Sequence, residues 1–136
     1  MKMGAVLLSV WSGLNAAVAL AVTVMTLLGK PPPALALLMT YAQIQAADAT
    51  VLAVVNAQAA IANPLIMAVC FLVLVLVWKG IVPGTAWAYW AVASALVPVQ
   101  VFGFVSDGYL GHHNMVANAV SSVVLGAGLV LSKPGS

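Results

Sequence analysis

The sequence predicts an all-α integral membrane protein: a bundle of four transmembrane helices, with a short surface helix between spans 1 and 2. Three observations predict it. Hydrophobic residues make up 65% of the 136-residue chain and charged residues only 4%, against roughly 25% charged in a soluble domain. Four long apolar stretches are bounded by capping residues, glycines or prolines. The polar side chains within this apolar background recur at helical spacing: Gln45, Asp48, Asn56 and Asn63 fall on one face of a 3.6-residue helix, and Tyr89, Gln100 and Asp107 on one face of another. Such a chain makes a single transmembrane domain over residues 1–136, with little left for a soluble module.

The elements follow in order. Gly4 to Gly29 is apolar over about twice the length of a signal-peptide core, so it is expected to remain as the first span. As a helix it would be about 39 Å long, enough to cross with some tilt. Gly29 suits a C-terminal cap, and Pro31-Pro32-Pro33 cannot continue the helix. Ala34 to Ala46, apolar but carrying Tyr41, Gln43 and Gln45, reads as the short surface helix. Asp48 then caps a long second span running to Trp78-Lys79, with a kink at Pro64. The rival is a turn at Asn63-Pro64 and five spans. That leaves Leu65 to Trp78 for one crossing, roughly 21 Å against a hydrocarbon core of about 30 Å, and so four spans are preferred. Gly80 to Gly84 reads as a turn and Thr85 to Val105 as the third span, with Trp87, Tyr89 and Trp90 at a headgroup boundary. A loop from Ser106 to His113 follows. Asn114 caps a fourth span ending near Ser132-Lys133.

Charge is sparse and asymmetric. With four Lys and no Arg there is no basic patch for nucleic acid. The single Cys70 lies in an apolar run, where a buried, inert thiol is expected. Four spans put Lys2, Lys79 and Lys133 on one face of the membrane, and Lys30, Asp48, Asp107, His112 and His113 on the other. The positive-inside tendency places both termini in the cytoplasm. No metal or other cofactor is expected, because the two histidines are adjacent and diverge by about 100° on a helix, and no Glu completes a ligand set.

Lipid cannot hydrogen-bond the polar groups, so each is expected to turn inward or toward a wet cavity. Asn56 on span 2, Gln100 on span 3, and Asn118 and Ser121 on span 4 share the outer half of the membrane, with Trp11 and Asn15 of span 1 at that level or deeper. Two uses fit. The groups bond each other as interhelical ties, each worth about 0.6 kcal/mol, or they line a ligand cavity. Asp48 and Asp107, the only carboxylate side chains, stand at the ends of the polar faces. At an apolar mouth an Asp is expected to have a raised pKa and so to be able to donate a proton.

The layout of one span, a proline-bounded surface helix and three closely connected spans over Gly4 to Lys133 resembles the small DoxX-like four-helix membrane proteins. The resemblance is one of architecture and carries no site residue. The residues themselves point first to acid-base chemistry (isomerisation, cyclisation or hydrolysis) on a lipophilic small molecule. Asp48 and Asp107 would exchange protons, while Asn15, Asn56, Tyr89, Gln100, Asn118 and Ser121 line and orient. The alternative is a non-catalytic accessory subunit or lipid-binding membrane protein. Expected partners are membrane lipid, a lipophile, and a further copy of the chain or a membrane complex.

Overall fold

The computed structural model describes residues 2–30, 43, 46, 48–109 and 115–135. Among them four long helices and no strand are found: α1 (Lys2–Leu27), α2 (Ala49–Leu76), α3 (Ala86–Tyr109) and α4 (Met115–Ser132), with a π-helical turn over Val77–Ile81 continuing α2. All four are long and apolar enough to cross a membrane. Their exposed faces carry Val18, Phe71, Leu72, Phe102, Val116 and Val123, each more than half exposed. Exposed apolar side chains in this number suit a lipid surrounding.

The helix ends are set by local chemistry. Gly29, at φ 70, ends α1: its N–H donates to the Thr26 carbonyl, and the Lys30 N–H to that of Met25. These are the two bonds of a Schellman cap, which satisfy carbonyls the helix would otherwise orphan. At the other side of the connection the Asp48 carboxylate accepts the Thr50 N–H at 2.7 Å, while its carbonyl accepts that of Leu52. This is the expected N-cap of α2. Helix α2 then passes through Pro64 without interruption, which rules out the turn that five spans require. Asn63 bonds back to the Ala59 carbonyl of its own helix at 2.8 Å. The expected surface helix lies almost wholly outside the described residues; of it only Gln43 and Ala46 are described, both helical.

Two boundaries differ from expectation. The turn foreseen from Gly80 is shorter, because a five-residue π-turn, closed by Val82 N–H to Val77 carbonyl at 2.9 Å, carries the helix to Ile81. Gly84, at φ 90, makes the reversal. Helix α3 continues through Asp107 and Gly108 to Tyr109, so Asp107 belongs to the last turn of a helix and not to a loop. Asn114, His112 and His113 lie outside the described residues.

The chain packs as two compact units, Met1–Leu14 with Cys70–Ser136, and Asn15–Val69. The first unit is itself a helical bundle. Its core joins Ala5, Leu8 and Trp11 of α1, Val73 of α2, Val77 and Ile81 of the π-turn, Ala88, Tyr89, Val92 and Leu96 of α3, and Leu125 and Leu129 of α4. Helix association in lipid depends on close packing more than on expulsion of water, and small residues provide it here. Gly4 lies directly against Ser132 and the backbone of Gly128 and Leu131, and Gly128 faces Leu8. Gly80 of the π-turn meets Ala88 of α3 in the same way. The second unit holds the rest of α1 and most of α2. In it the hydroxyls of Thr23 and Thr26 bond back to the carbonyls of Ala19 and Val22, each at 2.8 Å, which hides two polar groups that lipid cannot satisfy.

Candidate functional site: a polar network between α1, α3 and α4

The first unit brings three of the expected site residues together. Helix α3 turns one face inward, with Ala88, Tyr89, Val92 and Leu96 buried and Gln100 next on the same face at a spacing of four. Gln100 meets Asn118 and Ser121, one turn apart on α4. The Ser121 hydroxyl accepts the Trp11 indole N–H at 2.7 Å and donates to Gln100 Oε1 at 3.0 Å. Gln100 Nε2 donates to the Asn118 carbonyl at 3.1 Å, and Asn118 Nδ2 to the Gly103 carbonyl at 3.3 Å. Ser122, which the sequence did not single out, donates to the same Asn118 carbonyl at 2.8 Å. Three helices are thereby joined by a directional chain from indole to hydroxyl to amide to carbonyl. Every side chain in it is neutral and none titrates near physiological pH.

The centre of the network is satisfied from within. Both ends of the Gln100 amide are bonded, and Ser121 both accepts and donates. Beside it a groove of about 230 Å³ runs between α3 and α4, lined by Val97, Gln100, Phe104, Ser122, Leu125 and Leu129 among others, and its walls are almost entirely apolar. The bonded amide and hydroxyl at its edge leave hydrocarbon as the surface a ligand would meet.

The other expected site residues are placed as follows. Tyr89 is 8% exposed, a core residue set edge-on to Trp90, with ring centroids 5.1 Å apart. It shares the inward face with Val92 and Leu96, whereas Trp87 and Trp90 stand on the exposed side of α3. Asp107, on that inward face at the far end of α3, is 4% exposed. Asp48 is fully exposed, and the Thr50 backbone N–H holds its carboxyl below the usual carboxylate range. That reverses the raised pKa expected there: a carboxylate in water, capping a helix, is stabilised in its charged form. In the second unit Asn15 and Asn56 are half-buried, and Asn56 Oδ1 is enclosed with no hydrogen bond. Cys70 is buried and free. Among the described residues no three metal-ligating side chains come together.

A bond that sequence reasoning missed holds the base of the unit. The Trp78 indole N–H donates to Ser9 Oγ at 2.9 Å. Ser9 stands in an apolar run with no partner in view along the chain, so nothing in the sequence signals the pairing. No protein-family model matches this chain, and no curated protein or solved structure is similar to it.

Proposed function

We propose that the protein is a non-catalytic, multi-pass membrane protein acting as an accessory or lipid-binding subunit, with both termini in the cytoplasm. The observation that carries this reading is the network of bonds between helices. Gln100, Ser121 and Trp11 bond one another and the Asn118 carbonyl, and Asn118 Nδ2 bonds the Gly103 carbonyl, which makes these groups interhelical ties. Four such bonds at about 0.6 kcal/mol each contribute roughly 2 kcal/mol of bundle stability. The adjoining groove offers contact to apolar molecules without offering chemistry.

A second reading, acid-base chemistry on a lipophile, is favoured by the place of Asp107, a carboxyl-bearing side chain buried at the end of α3. In it Gln100 and Asn118 orient the polar group of the substrate.

One set of variants separates the two. In the accessory protein Gln100→Leu breaks two bonds and lowers the thermal midpoint of the purified bundle, Ser121→Ala acts similarly, and the lipids that copurify are unchanged. Asp107→Asn leaves them unchanged as well. If Gln100→Leu keeps its midpoint but loses a specific copurifying lipophile, the amides serve a ligand. If Asp107→Asn then binds that lipophile yet converts it about 100-fold to 10,000-fold more slowly, the enzyme reading stands.

A further inference from the structure

The first unit has one chemically distinct end. Lys2 opens α1, Lys79 lies in the π-turn that ends α2, and Lys133 follows α4. The contact of Gly4 with Ser132 sets the first and last of these side by side, each within two residues of it. Gly80 against Ala88 ties the π-turn to the first turn of α3, where Trp87 and Trp90 are 64% and 63% exposed. Trp78, 49% exposed, is fixed by its bond to Ser9. Three exposed lysines and the chain's three exposed tryptophans thus gather at one end. Asp107 lies at the opposite end of α3 and Asp48 at the opposite end of α2.

Helix dipoles account for only part of this arrangement. Lys79 lies in the last turn of a helix and Lys133 just follows one, where a cation is favoured; Lys2 sits at a helix N-terminus, where it is not. Tryptophan marks the headgroup level of a bilayer, and ammonium groups at that level face lipid phosphate. We infer that this end is a docking surface for the headgroups of anionic phospholipid, with the indoles seated at the glycerol level and the three lysines on the phosphates. The inference stands whether or not the bundle is catalytic.

The test uses the full chain reconstituted in phosphatidylcholine vesicles, with energy transfer from tryptophan to a trace of dansyl-phosphatidylglycerol or dansyl-phosphatidylcholine. The phosphatidylglycerol probe is expected to be enriched at the protein, and the enrichment to collapse in high salt. Each of Lys2→Gln, Lys79→Gln and Lys133→Gln should reduce it, by up to about five-fold. Lys→Arg at the same positions should retain it, as should Lys30→Gln beyond the end of α1, and the arginine variants separate lost charge from lost folding. Equal transfer to both probes, or enrichment that survives all three Gln variants, overturns the inference. Full competition by millimolar inorganic phosphate also overturns it, because the site would then take a free anion and not a lipid.

Discussion

Asp48 shows how one side chain can be read for catalysis and be used for structure. Its carboxylate takes the Thr50 N–H, and that bond holds the group ionised below the usual carboxylate range. A group whose folded pKa is depressed contributes stability that is whole above its unfolded value and is lost as pH falls through the folded one. The first turn of α2 should therefore keep its protection through neutral and mildly acid pH and fray only below the ordinary carboxylate range. Hydrogen exchange at the Thr50 amide, followed downward in pH, reads this directly. Asp48→Asn should keep the cap and lose its pH dependence, since Asn caps as well as Asp; Asp48→Ala should fray at every pH. Protection that rises as the carboxyl protonates would mean that the cap is made by the neutral acid.

Between elements, the approach of α1 to α4 is set by glycine. A Cβ at Gly4 would meet the Gly128 carbonyl oxygen and the Leu131 carbonyl carbon at 2.7 Å, atoms of backbone that cannot swing aside, whereas one at Gly126 would meet nothing. Gly4→Ala should lower the melting midpoint in detergent, by an overpacking cost of about 1 to 3 kcal/mol. Gly126→Ala should hold or raise it, because Ala is the better helix former by about 1 kcal/mol. Equal midpoints for the two variants would mean that α1 and α4 do not cross at Gly4. Much of this level was legible in the sequence. Gly29, Asp48 and Ser132 mark ends because caps and stops are local signals. What the sequence could not show is rotation: it put Gln100, Asn118 and Ser121 at one depth, but whether amides at one depth face a ligand or each other depends on how neighbouring helices turn. The α3 terminus was misjudged for a related reason. Asp107-Gly108 reads as a turn by local signals, yet both residues are helical, with Asp107 buried.

For the molecule as a whole the apolar exterior is the governing fact. Val123, near the middle of α4, is 71% exposed. On a water-soluble bundle Val123→Lys would be a surface change worth less than about 0.5 kcal/mol; at the centre of a span it costs about 2.5 to 3.5 kcal/mol to insert. The variant should shift from the membrane-integrated to the alkali-extractable fraction, while Val123→Leu should not. A Lys variant that stays fully integrated would show that this face of α4 meets water or protein. Composition alone announced this level, because an average over the whole chain does not depend on knowing any helix's orientation.

The π-turn over Val77–Ile81 has one residue more than an α-helical turn would use between the same points. Loss of one residue there would convert the turn to ordinary α-helix while Gly84 still begins the reversal into α3. A one-residue loss in the middle of α3 has no such slack: it would rotate every later side chain by about 100° and carry Gln100 or Asp107 off the inward face. Among the described residues Val77–Ile81 is the one π-helical segment, so it is the place where loss of one residue should return ordinary α-helical geometry and leave both flanking helices in register.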